Sequence, residues 1–284
     1  MINNYIFESL RIANVKTVDE LENALREISQ KIILSALSKT SFFNYAAFYG
    51  GTCLRVFHGL KRYSEDLDFT FIKEIDKFNI GEYIEFCKTT LKSYGIDASI
   101  YTKDEYDVGE IRRRYIKFPY YDLAREYLGN VSMNKEKMIS IKVEVSSIFI
   151  KGATLEWNML NIQGLSSVLC LDYSSLFAGK INAILTRTWR EREKGRDYYD
   201  YIFYLSHGVS INIEYLRNKL SYSTKEDTTS FGIDKIRFLL KERFEKVSID
   251  SILLDVKPFV IDDEDLIFLS NDFLIKSLEL LKEK

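Results

Sequence analysis

A glycine pair followed closely by an alternating acidic run restricts this chain more than any other feature. Within Phe48–Ile72 (FYGGTCLRVFHGLKRYSEDLDFTFI), Gly50-Gly51-Thr52 precedes Asp66-Leu67-Asp68-Phe69-Thr70-Phe71. Side chains alternate across a strand, so Leu67, Phe69 and Phe71 share one face and Asp66, Asp68 and Thr70 the other. Both carboxylates therefore point the same way, on the order of 6 Å apart, with a repulsion of roughly 3 kcal/mol at an effective dielectric near 20. Solvent at a strand end can offset that cost, and so can a divalent cation held by hard oxygen ligands. Upstream, YAAFYG is a short apolar run ending at the glycines, and TCLRVFHG suits one or two helical turns closed by Gly59. The order strand, glycine turn, short helix lets backbone N–H groups approach an anion at a helix N-terminus. The turn is neither GxxxxGK[ST] nor GxGxxG.

A third carboxylate follows the same logic. In Ile141-Lys142-Val143-Glu144-Val145-Ser146 the alternation buries the apolar positions and leaves Glu144 with Lys142 and Ser146. Beside the Asp66 strand, Glu144 would join the aspartates as ligand to one or two magnesium ions. Alternatively it pairs with Lys142 or an arginine.

Composition excludes several other chemistries. With two histidines and three cysteines, Cys53, Cys87 and Cys170, widely spaced and without CxxC, neither a histidine-rich metal site nor a zinc knuckle nor a disulfide framework is supported. A catalytic metal would have to sit on carboxylate oxygens. The net charge of −2 argues against nonspecific coating of nucleic acid. One basic patch, Arg112, Arg113, Arg114 and Lys117, reads either as a binding surface or as the charged guard of an edge strand. No segment reaches about 18 uninterrupted apolar residues and the start lacks signal-peptide features, which predicts a cytoplasmic protein with no membrane partner.

Along the chain, Thr17 and Glu20 are spaced as a capping box before Leu21, Leu25, Ile28 and Ile32, which predicts an amphipathic helix. A further helix is expected in IGEYIEFCKTTLKSYG and strands in DASIYTK, RRRYIKFPYY and ISIKVEVSSIFI, with 123–138 as connection. From Tyr173 the pattern is helical. The expectation is an α+β protein: a mixed-sheet domain over 1–165 flanked by helices, and a helical domain over 166–284 closing a cleft above the acidic site.

GGTCLR followed by RYSEDLDF closely resembles the signature of the AbiEii-like nucleotidyltransferases. They are a branch of the DNA polymerase β-like superfamily known mainly as toxins of toxin–antitoxin and phage-defence systems. LDYSSLFAGKINAILTR and KGRDYYDYIFYL look like that family's lysine helix and RDxYD helix, so the resemblance spans most of residues 40–210. It implies a nucleotidyltransferase in which Gly51 and Thr52, with Gly50 in the same turn, hold NTP phosphates. Asp66 and Asp68 would bind Mg2+, Lys180 would contact the triphosphate, and Asp197 would be the fourth-motif acid, with Asp200 its competitor. Glu144 as third ligand follows from the superfamily. An RNA 3′ end is the implied acceptor, with a protein or small-molecule hydroxyl as alternatives, and a cognate antitoxin the implied partner.

Read physically, Lys180 and Arg187 lie two helical turns apart and would form a cationic strip for a triphosphate. On a surface helix, Lys180→Ala would leave stability untouched. Arg196 and Asp200, at i,i+4, would pair on one helix and leave Asp197 free to face the cleft, in reach of Lys180. Two other functions fit the same residues: a catalytically silent module binding partners through the Tyr- and Phe-rich helical half, and a metal-dependent nuclease.

Overall fold

The computed structural model describes residues 4–102, 109–187, 193–262, 266–267 and 269–284. They form two compact units. One runs to Phe57 and adds Ser64–Phe149 and Trp157–Cys170; the other combines His58–Tyr63, Ile150–Glu156 and the chain from Leu171.

The first unit carries a seven-stranded mixed sheet: β1 (Ala46–Tyr49), β2 (Leu67–Phe71), β3 (Ser99–Tyr101), β4 (Ile111–Pro119), β5 (Met138–Ser146), β6 (Leu155–Asn161) and β7 (Leu165–Leu171). Their order is β3-β4-β5-β2-β1-β7-β6. β2 runs antiparallel to β1 and parallel to β5, which runs antiparallel to β4. Helices α1 (Asn4–Ile12), α2 (Val18–Ser38), α3 (Gly50–His58), α4 (Ile80–Ser93) and α5 (Tyr121–Leu128) complete it.

Helix α2 forms as its sequence predicts. The Thr17 hydroxyl accepts from the Glu20 N–H at 3.2 Å, and the Glu20 carboxylate accepts from the Thr17 N–H at 3.0 Å. Its apolar stripe, Leu21, Leu25, Ile28 and Ile32, is buried. With α4 it packs against the sheet face that presents Val143, Ile141, Ile116 and Phe118. Edge-on aromatic contacts centre on Phe69, which meets Phe42 at 4.8 Å, while Phe48 tilts across it at 5.2 Å.

Four elements depart from the expectation. α5 occupies what reads as a connection, and α1 and the pair β6 and β7 were not anticipated. β6 exposes Leu155, Trp157 and Met159, so its alternation does not follow the apolar-in, polar-out rule that marks a strand.

The second unit is built from α6 (Tyr173–Thr186), α7 (Gly195–Ser206), α8 (Ile213–Thr224), α9 (Ile233–Lys246), α10 (Ile249–Val256) and α11 (Asn271–Ser277). Asp172, Asn212 and Ser248 cap α6, α8 and α10 by accepting N–H bonds at their starts. Its aromatics are core: Phe177 stacks on Tyr204 at 4.6 Å, Tyr201 meets Phe244 edge-on at 5.2 Å, and Tyr198, Tyr201, Tyr204 and Tyr215 are buried. Those tyrosines are therefore committed to the core, while Phe238 and Phe273 of the same unit remain exposed. Among the described residues, no helix is long and apolar enough to cross a membrane.

Candidate active site

In the first unit, β1 delivers the chain into Gly50, which adopts φ +86°, a conformation L side chains rarely take. A Cβ there would stand 2.6 Å from Asp68 Oδ2. The glycine therefore lets the Asp68 carboxylate lie against the start of α3. Gly50, Gly51 and Thr52 open that helix, so their N–H groups have no partner one turn back. The Thr52 hydroxyl is buried and donates to the Asp66 carbonyl. Its side chain ties the helix start to the strand entry, and only its backbone is left for a phosphate. Gln30, buried on α2, donates through its side-chain nitrogen to the carbonyls of Ser64 and Glu65 at 3.0 and 2.9 Å, fixing the segment before Asp66. No short-range pattern marks Gln30, because its partners lie 34 and 35 residues on.

Across the sheet, Asp68 pairs in register with Glu144, and Glu144 with Arg113. Lys142 Nζ lies 3.0 Å from both Asp66 Oδ2 and Glu144 Oε2, and Arg113 also bonds Glu144. Glu144 thus has the cationic partners that the alternative reading gave it. Burial raises the Asp66 pKa despite Lys142, with Glu144 adding to the rise. Burial acts the same way on Glu144 but is outweighed by Arg113 and Lys142, so its pKa is lowered. For Lys142, burial is outweighed by Asp66 and Glu144, and the pKa rises to about 12. Among the described residues, no three His, Cys, Asp or Glu side chains gather as a metal-holding group. The donor chemistry nevertheless fits a divalent cation at Asp66 and Asp68. The pair presents hard oxygens, Gly50 leaves Asp68 room, and Asp66 already draws an ammonium.

Gly50→Ala should place a methyl against the Asp68 carboxylate and force a left-handed alanine costing about 1–2 kcal/mol. Gly59, at φ +76° with open space around its Cβ position, carries the strain without the collision. Both alanine variants should melt below wild type, and only Gly50→Ala should lose stabilisation by added Mg2+ and NTP. Equal ligand shifts in the two would dissociate Gly50 from the site.

In the second unit, α6 and α7 bring the other predicted residues together. Lys180 Nζ lies 2.7 Å from both Asp197 Oδ1 and Asp200 Oδ2. Arg187 Nη1 reaches Asp197 Oδ2 at 2.6 Å, and Arg62 grips both oxygens of Asp200 at 2.7 Å. The Arg62 and Asp200 side chains are 3% and 0% exposed, so this pair is fully desolvated. Two expectations are corrected and one is extended. Asp200 does not pair with Arg196, which turns to Asp255 and lies over the Phe259 ring at 4.0 Å. Asp197 holds Lys180, as its reach suggested, and Arg187 as well. Lys180, with 13% of its side chain exposed, is no surface lysine, and removing it would strand two buried carboxylates.

Burial opposes ionisation of Asp197 but is outweighed by Lys180, Arg187 and Lys194, which hold its pKa at about 2. Arg62 and Lys180 likewise outweigh burial and lower the pKa of Asp200. Lys194 was not anticipated: burial, then Arg187, lowers its pKa to about 8. Among the described residues of this cluster, Arg187, 40% exposed, keeps a substantial solvent-facing side.

Residues 32–274 match the family model described as nucleotidyl transferase AbiEii toxin, type IV toxin–antitoxin system. Among solved structures, the nucleotidyltransferase toxin MenT4 of Mycobacterium tuberculosis superposes with a TM-score of 0.60 at 15% identity, over 99% of this chain and 89% of that one. JHP933 of Helicobacter pylori gives a TM-score of 0.51 at 18% identity, over 94% and 93% of the two chains. No curated protein matches.

Proposed function

Because the chain belongs to the AbiEii family of nucleotidyltransferase toxins, we propose that it moves a nucleoside monophosphate from an NTP to the 3′-hydroxyl of an RNA and is restrained by a cognate antitoxin. The observation that supports this reading most is the Asp68 carboxylate seated against the Gly50 helix start, two residues from Asp66. The acceptor oxygen attacks the α-phosphorus, a new P–O bond forms, and the bond to the β-phosphate breaks, releasing pyrophosphate. The acceptor proton passes to a carboxylate of the site. The backbone N–H groups of Gly50, Gly51 and Thr52 orient the phosphates, helped by the α3 dipole. Mg2+ on Asp66 and Asp68 would offset the charge that grows on the phosphates. Lys142 holds Asp66 and Glu144 in place, and Glu144 acts through that bridge more readily than as a ligand. In the second unit, Arg187 keeps a solvent-facing side that could take an anion, while Lys180 is held by Asp197 and Asp200.

The test is incubation with each labelled NTP, Mg2+ and total RNA. Label on RNA 3′ ends, absent without Mg2+, is the expected result. Label on protein would replace the acceptor, shortened RNA would make the chain a nuclease, and no change would overturn the reading.

A further inference from the structure

We infer that the sheet face carrying Asp68, with Asp66 just before β2, continues over β5, β4 and β3 as a docking strip for the single-stranded end of the acceptor polynucleotide, a statement that rests on the nucleotidyl-transfer reading. Residues paired in register on neighbouring strands share a face. From Asp68 the register leads to Glu144, then Arg113; one pleat along, it leads from Lys142 to Tyr115 and on to Tyr101. Lys117, on the same face of β4, places its ammonium 4.8 Å from the Tyr101 ring centre and 5.7 Å from that of Tyr115. Tyr115 and Lys117 thus lie two strand spacings, about 10 Å, from the aspartate strand, and Tyr101 three, about 14 Å. The opposite face of the same strands is apolar at Ile116, Phe118, Ile141 and Val143 and is buried.

Two observations separate this strip from an ordinary charged edge. Over Tyr115–Lys117 the strand is flanked by β3 on one side and β5 on the other, so Lys117 guards no edge there. Tyr101 is 44% exposed rather than packed into core. Exposed aromatic faces interleaved with cations are what single-stranded nucleic acid uses: bases stack on the rings while the cations take phosphates. A duplex has its bases already stacked and cannot use the rings.

The experiment measures binding of a fluorescein-labelled unstructured RNA oligonucleotide, and of its duplex, without NTP. Wild type should prefer the single strand. Tyr101→Ala and Tyr115→Ala should each weaken it about tenfold. Lys117→Gln should weaken it and reduce the slope of log affinity against log salt by about one. The melting temperature of each variant reports whether it folds, and Lys117→Gln alters a surface position and keeps the test valid should a tyrosine variant fail. Equal single-strand and duplex binding, or variants that bind as wild type, would overturn the strip even if labelled NTP reaches RNA. Binding that depends on the tyrosines and lysine would uphold the strip even if no transfer is seen, in which case the reaction reading falls instead.

Discussion

Arg62→Ala is expected to lower the unfolding free energy by roughly 3–5 kcal/mol, the largest stability loss foreseen for any charged side chain of this protein. The magnitude follows from what would remain. Asp200 is completely buried and both its oxygens are held by Arg62, with Lys180 as the second cation among the described residues and Asp197 competing for it. Removing the guanidinium leaves a carboxylate that must either stay charged in a poor solvent or take up a proton. Arg62→Lys should recover only part of the loss, because an ammonium cannot make two parallel bonds to one carboxylate. Combining Arg62→Ala with Asp200→Ala should restore stability relative to Arg62→Ala alone, since the stranded charge is gone. Urea unfolding of the three variants measures this, and an Arg62→Ala protein as stable as wild type would contradict it. The same cluster sets acid sensitivity. Asp197, held at about 2, lies below its ordinary value of 3.8, so its contribution is present above pH 4 and is lost as pH falls towards 2. That difference amounts to about 2 kcal/mol, and Asp200 shifts in the same direction.

This cluster also shows what sequence could and could not reveal. The strand, glycine turn, helix and acidic strand around Gly50 and Asp68 were legible because each rests on a local rule: period-two alternation, a positive φ, a helix start. The capping box of Thr17 and Glu20 is local for the same reason. Asp200 was misread because its spacing from Arg196 satisfies the helix-surface rule, whereas its partner Arg62 lies 138 residues away and only tertiary packing joins them. Arg196 then found Asp255, equally distant from any local rule. Lys142 was visible as a neighbour of Glu144, but that it also reaches Asp66 depends on β2 and β5 being parallel neighbours. β6 escaped because its apolar residues face outward. Local geometry placed Asp68 against the Gly50 helix start; long-range pairing decided which cations would serve each carboxylate.

Asp68→Asn is expected to reduce nucleotidyl transfer by a factor on the order of 10² to 10³, the scale seen when one charge-stabilising group is removed from an active site. The amide keeps the size of the carboxylate and one acceptor oxygen but is no longer a hard anionic ligand. Stability should not fall with it. Asp68 sits opposite Glu144 in register and two residues from Asp66, so like charges act on it in the metal-free sheet. The amide removes that like charge and keeps the size and an acceptor oxygen for neighbouring groups, so without metal the variant should melt close to the wild-type temperature. Added Mg2+ and NTP should stabilise wild type through binding linkage and stabilise Asp68→Asn much less. A structural carboxylate predicts the reverse pattern, because its loss would leave a bonded group unsatisfied and lower the metal-free melting temperature while both proteins respond alike to ligand. An Asp68→Asn protein that melts well below wild type without metal, keeps its full ligand shift and still transfers nucleotide would remove Asp68 from the catalytic centre.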